Sequence, residues 1–134
     1  MAQTLALVSL VVRDYNEALG FYVGILGFRL IEDIEIPDED KRWVVVCPGG
    51  EGSCQILLAR ASTPEQAARV GDQTGGRVFL FIHTDDLERD FRAYAARGVE
   101  FVRPPRTMPY GRVAVFRDLY GNLWDLVQRS VAKA

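Results

Sequence analysis

The chain has few of the residues that cross-link proteins or bind metals. Its 134 residues include one histidine, His83, and two cysteines, Cys47 and Cys54. Two unpatterned cysteines are too few for a secreted disulfide framework or a thiolate zinc site, which needs clustered pairs. A chain of this length buries enough surface to fold as one domain without cross-links. We expect both cysteines to be small buried side chains in a reducing compartment.

The sequence also lacks a charge excess and a long apolar run. Sixteen Lys and Arg residues stand against eighteen Asp and Glu residues, for a net charge of −2. This balance creates no field that would attract nucleic acid or an anionic membrane. No apolar run reaches the roughly 18 residues of a spanning helix, and residues 1–5 carry no basic leader. We therefore predict a cytoplasmic protein with neither nucleic acid nor a membrane as partner.

What is present is an internal repeat. An apolar run occurs at residues 5–12 and again at residues 78–82, and each run is followed by an aspartate, Asp14 or Asp86. Apolar residues then recur at three- and four-residue steps, which is typical of a helix, until Gly27 in the first half and Gly98 in the second. The two helical patterns superpose with at most one residue of slippage.

Strand patterns follow each predicted helix. Runs of β-branched and aromatic residues lie at residues 28–36, 43–47 and 54–58, and again at 99–102, 113–116 and 123–127. Each half is therefore predicted to have the order β-α-β-β-β. Between the halves, Thr63 and Pro64 indicate the start of a short helix, and a Gly-rich linker follows at residues 71–76. Such a linker is a natural hinge for exchange with a second copy, so we predict a homodimer.

Specific motifs accompany the repeat. Residues 12–22 and 26–28 in the first half, and residues 97–99, 109–111 and 118–126 in the second, resemble the vicinal oxygen chelate (VOC) superfamily, which includes glyoxalase I, bleomycin and fosfomycin resistance proteins and extradiol dioxygenases. The resemblance implies an α+β fold in which two βαβββ modules form a curved mixed sheet around a cavity. It also implies a single VOC domain over residues 1–134, with module 1 at about residues 4–60, a linker helix at about 61–76 and module 2 at about 77–130.

The resemblance further implies a divalent metal. In the superfamily, the first and last strands of each module each supply one ligand, usually His, Glu or Gln. The corresponding first-strand positions here are Leu7 and Phe79, which have no donor atom, and the last-strand positions are Gln55 and Asp125. One amide and one carboxylate would hold a divalent cation poorly, because protein sites supply about three or more ligands. We therefore predict that the metal site is lost and that no cofactor is bound.

Strand alternation suggests what replaces the metal. If Leu7 and Phe79 face the cavity, their alternate neighbours do so as well. Those neighbours are Ser9, Val11, Phe81 and His83. A largely apolar floor of this kind is typical of a small-molecule pocket, although a filled core explains the same residues equally well.

Asp125 is the candidate for acid or base chemistry. A carboxyl in the middle of a strand needs a partner, and the symmetrically placed Arg42 and Arg112 are the candidates. A structural ion pair is favoured over a catalytic acid, but a raised pKa would make Asp125 the best general base available. For His83, at a strand end, packing at the strand-helix corner is favoured over an acid-base role.

Two classes of function stay open. The favoured one is a glyoxalase- or bleomycin-resistance-like protein that binds a small, planar or amphipathic molecule, with aromatic residues such as Trp43 and Tyr110 stacking on it. Aromatic residues in strands, including Phe116 and Trp124, are nevertheless more often core. The predicted ligand contacts are Leu7, Ser9, Arg42, Trp43, Gln55, Phe79, Phe81, Tyr110 and Arg112. The alternative is a metal-dependent lyase, isomerase or dioxygenase in which a rearranged site uses His83 and Asp125.

Overall fold

The computed structural model describes residues 1–130. The chain divides into two compact units, one up to Gly71 and the other from Asp72. The first unit contains β1 (Leu7–Val12), α1 (Tyr15–Tyr22), β2 (Arg29–Ile36), a 3-10 turn (Pro37–Glu39), β3 (Lys41–Cys47), β4 (Gln55–Arg60) and α2 (Pro64–Ala67). The second contains β5 (Val78–His83), α3 (Leu87–Ala96), β6 (Phe101–Met108), β7 (Gly111–Arg117) and β8 (Leu123–Arg129). The predicted repetition of β-α-β-β-β is confirmed.

Each unit forms its own four-stranded mixed sheet. The strand order is β1-β4-β3-β2 in the first unit and β5-β8-β7-β6 in the second. In both sheets the first and last strands of the unit pair in parallel, and the remaining neighbours are antiparallel. This arrangement confirms the predicted α+β class and leaves β2 and β6 as edge strands.

The helices begin where the sequence predicts. The Asp14 carboxylate accepts a hydrogen bond from the Glu17 amide at 2.8 Å, and the Asp86 carboxylate accepts one from the Arg89 amide at 3.1 Å. These bonds satisfy amide groups that lack a partner within the helix. Thr63 caps α2 in the same way. The two equivalent aspartates therefore have the same structural role.

One face of each sheet forms the core against the helix of its unit. Because side chains alternate along β1, Leu10 and Val12 are completely buried and Ser9, one residue before Leu10, is exposed. In the second unit, Phe116 and Trp124 are buried and their rings stack at 5.9 Å between centroids. These two aromatic residues are therefore core. The opposite face of each sheet holds the clefts described below.

Several details differ from the sequence predictions. Cys47 is buried as expected, but Cys54 is exposed, so that expectation is wrong for Cys54. Its position just before β4 places it in a loop rather than in a buried strand. The first helix ends at Tyr22, five residues before Gly27, because the chain turns out of the helix over the intervening residues.

The largest difference is in β6, which extends to Met108 through Pro104 and Pro105. Proline has no amide hydrogen, but an edge strand has a side with no strand to bond, and its bulges tolerate proline. Among residues 1–130, no helix is long and apolar enough to cross a membrane.

Candidate functional site

The first unit has a cleft of about 700 Å³ on the sheet face opposite the core, which we call the first cleft. Its floor is formed by alternate residues of β1 and β4, which pair as Ser9 with Leu57 and Val11 with Ala59. Trp43 of β3 also lines it. The predicted alternation therefore places Ser9, Val11 and Trp43 around one space.

Aromatic and cationic groups meet in the first cleft. The Tyr15 ring has the guanidinium carbons of Arg42 and Arg60 each 5.1 Å from its centroid. Trp43 is 37% exposed, and its indole nitrogen donates a hydrogen bond to Glu32 at 3.1 Å. A fixed indole with an accessible face is suited to stacking on a planar ligand, because burying that face removes apolar area from water.

Arg42 is occupied within its own unit. It donates two hydrogen bonds to the Asp33 carboxylate, at 2.6 and 3.1 Å, and a third to Asn16 at 3.0 Å. These bonds lower the pKa of Asp33 below its usual value. Arg42 is thus the partner of Asp33, and the expected ion pair between Arg42 and Asp125 is wrong.

Leu7 and Gln55 lie side by side, as the first residues of the parallel strands β1 and β4. Neither lines the first cleft. The backbone N–H of Gln55 donates a hydrogen bond to the Ala6 carbonyl at 3.1 Å, which continues the strand pairing by one residue. The Gln55 side chain, which carries an oxygen, therefore has the hydrocarbon side chain of Leu7 as its neighbour on the adjacent strand.

The second unit has a cleft of about 460 Å³, the second cleft, on the corresponding sheet face. One row of paired residues crosses the sheet there, and it runs Phe81, Asp125, Val115, Arg103. The next row runs His83, Val127, Val113, Arg106. Asp125 and Tyr110 line the cleft together with four arginines, which are Arg77, Arg103, Arg106 and Arg117.

Asp125 is buried without a hydrogen-bond partner. It is 8% exposed, and within residues 1–130 its Oδ1 atom has no donor in reach. Burial raises the pKa of Asp125, while the positive charges of Arg103 and Arg106 act in the opposite direction. The neutral form is thus favoured more than in water, because a buried carboxylate loses its hydration.

Arg112 lies on the other face of the sheet. Its guanidinium donates to Glu88 at 2.6 Å and to Thr107 at 3.2 Å. The expected pairing of Arg112 with Asp125 is therefore wrong. The reason is strand alternation. Val113 and Val115 share the sheet face of Asp125, and Arg112, directly before Val113, points to the opposite face.

The sequence analysis missed Arg103 and Arg106. Residues three apart in a regular strand face opposite sides, and the predicted strand ended at residue 102. In the structure, Arg103 pairs with Val115 and Arg106 pairs with Val113, so three steps along β6 match two along β7. This bulge brings both arginines to one face. The paired prolines between them were the available signal.

The remaining predicted site residues lie on β5. Phe79 falls at a register irregularity between Val78 and Leu80, and Phe81 is the residue that pairs with Asp125. Phe81 is 62% exposed. His83 ends the strand and is also exposed. Among residues 1–130, no group of three or more His, Cys, Asp or Glu side chains is placed to hold a metal ion.

With this geometry in place, comparison with known proteins identifies the family. The sequence model of the Glyoxalase/Bleomycin resistance protein/Dioxygenase superfamily matches residues 4–126. The chain belongs to this superfamily.

Individual relatives match over nearly their full length. A protein of Shewanella frigidimarina (strain NCIMB 400) is 56% identical over 128 residues, which are 96% of this chain and 95% of that protein. Among solved structures, a superfamily member from Sphaerobacter thermophilus is 31% identical, with a TM-score of 0.79 over 96% of this chain and 98% of that one. TnmS3, described as an antibiotic binding protein from Streptomyces sp. CB03234, is also 31% identical, with a TM-score of 0.77 and the same coverage of both chains.

Proposed function

We propose that this protein binds a small, planar or amphipathic molecule in the first cleft and does so without a metal. The carrying observation is the cleft itself, about 700 Å³ in volume, with an apolar floor and the exposed face of Trp43 at its side. Ligand sites are mostly apolar concavities of this size with a few fixed polar groups. Here Ser9, Arg42 and Arg60 are among the polar groups of the lining.

The relatives support binding as the function. TnmS3, at 31% identity, is described as an antibiotic binding protein. Membership of the superfamily alone does not decide between binding and catalysis, because one fold carries many chemistries. The choice of a binder therefore rests on the shape and composition of the first cleft.

The proposal includes loss of the superfamily's metal. Its four positions hold two hydrocarbon side chains, Leu7 and Phe79, one amide, Gln55, and one carboxyl, Asp125. Burial disfavours the anionic form of that carboxyl, which is the form that coordinates metals. Such a donor set does not fit a divalent ion, which takes about three or more protein ligands.

Binding is tested with N-phenyl-1-naphthylamine, a neutral planar fluorophore whose emission rises in apolar surroundings. We expect saturable binding to the unmodified protein, and about tenfold weaker binding to Trp43→Ala, because losing an aromatic contact costs about 1.4 kcal/mol. Trp43→Phe keeps an aromatic ring and restores most of the affinity. Leu119→Ala, which removes a 42% exposed apolar side chain outside the first cleft, is the matched control.

The same protein preparation tests the metal. Elemental analysis is expected to find well under one equivalent of transition metal, and added Mn²⁺, Zn²⁺ or Ni²⁺ should leave the melting temperature unchanged, because only a ligand of the folded state stabilises it. Equal dye affinity in all variants would contradict the first-cleft binder. A stoichiometric metal that is lost in Asp125→Ala would transfer the assignment to a metal-dependent enzyme.

Assembly as a homodimer is part of the proposal. The edge strand β2 exposes Leu30 and Ile34, at 47% and 51%. Exposed apolar side chains on an edge strand favour pairing with another chain. Light scattering is expected to give twice the 15.0 kDa of the chain, and Ile34→Lys to reduce that mass. A 15.0 kDa species at micromolar concentration would contradict assembly without affecting the first-cleft site.

A further inference from the structure

The second cleft brings two arginines to one face of an edge strand. The bulge in β6 sets Arg103 opposite Val115 and Arg106 opposite Val113. Both side chains line the cleft, together with Asp125 on β8. Two guanidiniums on one side of a small space repel each other unless an anion lies between them.

These two guanidiniums are not neutralised by the surrounding protein. Within residues 1–130, neither Arg103 nor Arg106 forms a side-chain hydrogen bond or an ion pair with a carboxylate. By contrast, Arg117 donates to Glu100 at 3.1 Å and Arg112 donates to Glu88 at 2.6 Å. The β6 bulge therefore brings two arginines, without a carboxylate partner among residues 1–130, to one face of the strand.

The only carboxyl that lines the second cleft does not cancel this charge. Asp125 interacts with Arg103 and Arg106 through their charges but forms no salt bridge with either, and burial raises its pKa. Its Oδ1 atom has no hydrogen-bond partner in the part of the chain that the structure describes.

The floor of the second cleft is apolar. Val113 and Val115 are 3% and 8% exposed and lie between the strand of Asp125 and the strand of the two arginines. Tyr110, 42% exposed, stands at the side. A ligand that fills this space therefore needs an apolar body attached to its anionic group.

We propose that the second cleft is a binding site for a small aromatic or aliphatic carboxylate, whose anionic group lies between Arg103 and Arg106 and whose apolar body covers Val113 and Val115. A carboxylate is preferred to a spherical anion because its two oxygens match the planar fork of a guanidinium. The site is formed by residues 76–125 alone, so it does not rest on the proposed function of the first cleft.

The experiment is a ¹⁹F NMR titration of the full chain with 4-fluorobenzoate and, separately, with the neutral 4-fluorobenzamide. We expect saturable binding of the benzoate and much weaker binding of the amide. The double variant Arg103→Gln/Arg106→Gln is expected to lose about tenfold or more in affinity for the benzoate, because charge-assisted hydrogen bonds are about twice as strong as neutral ones. Both arginines are exposed, so the variant is expected to keep its fold and its melting temperature.

Three further arms separate specific binding from general attraction to a cation. Arg92→Gln removes an equal charge from an exposed position on α3 outside the cleft, and it should leave binding unchanged. Asp125→Asn replaces the carboxyl that lines the cleft by a neutral amide, so it should bind the benzoate at least as tightly as the unmodified protein. Inorganic phosphate should compete only weakly, because it has no apolar body.

The proposal is overturned if benzoate and benzamide bind equally, or if the double arginine variant binds as the unmodified protein does. It is also overturned if phosphate competes as well as benzoate, because the site would then hold any anion. Failure of these tests leaves the dye titration of Trp43→Ala unaffected, so the two sites are tested separately.

Discussion

The two units of the chain share one topology but differ in the charge of their edge strands. β2 carries Glu32, Asp33 and Glu35, whereas the corresponding β6 carries Arg103 and Arg106. In the first unit, Arg42 neutralises part of the acidic strand and Trp43 bonds to another part. In the second unit, the basic charge stays unpaired at a bulge. The same backbone order therefore presents an aromatic cleft in one unit and a cationic cleft in the other.

The units also differ in the turn before the last strand. In the second unit, Asp118 is 6% exposed and accepts hydrogen bonds from the amides of Tyr120, Gly121 and Asn122, and from the side chains of Asn122 and Trp124. The equivalent loop of the first unit, residues 48–54, has no buried carboxylate and includes a single backbone bond from Ser53 to Gly50 at 3.0 Å. One turn is organised by a buried anion, and the other by glycines at positive φ.

This difference predicts the largest effect of substitution. Asp118→Ala should lower the free energy of unfolding by about 3 kcal/mol or more, because it leaves several buried donors without an acceptor. Urea unfolding followed by circular dichroism measures the loss. In the first unit, Ser53→Ala is the matched change and should cost less than about 0.5 kcal/mol. Equal costs for the two variants would show that the turns do not differ in this way.

The pH dependence of stability should have opposite signs in the two units. Burial raises the pKa of Asp125, so the stability it allows is complete below its ordinary pKa of 3.8 and is lost as the pH rises through the raised value. Hydrogen bonds from Arg42 lower the pKa of Asp33, so its contribution is present above 3.8 and is lost as the pH falls. Asp125→Asn should therefore gain in melting temperature relative to the unmodified protein as the pH rises from 3.8 through the raised pKa of Asp125.

Thermal unfolding of Asp125→Asn and Asp33→Asn at several pH values makes this measurement. Relative to the unmodified protein, Asp33→Asn should be less stable by a constant amount above pH 3.8, and that deficit should shrink as the pH falls through the lowered pKa of Asp33. The groups that share the sheet face of Asp125 are His83, Arg103 and Arg106, with Tyr110, Arg77 and Arg117 also lining the cleft. Parallel pH curves for the two variants would be incompatible with opposite pKa shifts.

The smallest expected effects concern the two symmetric arginines. Arg42→Ala should cost about 1 kcal/mol, because Arg42 combines an ion pair, a bond to Asn16 and a cation-π contact. Arg112→Ala should cost about 0.5 kcal/mol or less, because its pair with Glu88 is largely exposed and screened by solvent. Double-mutant cycles with Asp33→Ala and Glu88→Ala measure each pair. A larger coupling for Arg112 would reverse the order predicted here.

Local signals explain how much of the fold was predictable. Asp14 and Asp86 were placed at helix starts because a cap bond forms between residues three apart in sequence. The alternation along β1 predicted that Ser9 and Val11 share one face, and both line the first cleft. Such features depend on a few neighbouring residues, and the two helix starts were confirmed. The predicted strand ends were less accurate, since pairing with another strand extended β6 to Met108.

The candidate sites were only partly predictable. Ser9, Trp43, Tyr110 and Asp125 were named from the sequence, and each lines one of the two clefts. The predicted pairing of Asp125 with Arg42 or Arg112 does not occur in the part of the chain that the structure describes. Symmetry in sequence favoured Arg42 and Arg112, but a charge at an equivalent position bonds to whichever acid its own strand and helix bring near, here Asp33 and Glu88.

The sequence by itself determined the repeated β-α-β-β-β order and the helix starts, because both are read from residue types at short spacing. Only the tertiary structure decided that Arg103 and Arg106 share a face with Asp125. That arrangement depends on a bulge in one strand and on the register of two others. Register is set by hydrogen bonds between strands that are distant in sequence, and a shift of one residue moves every side chain to the opposite face.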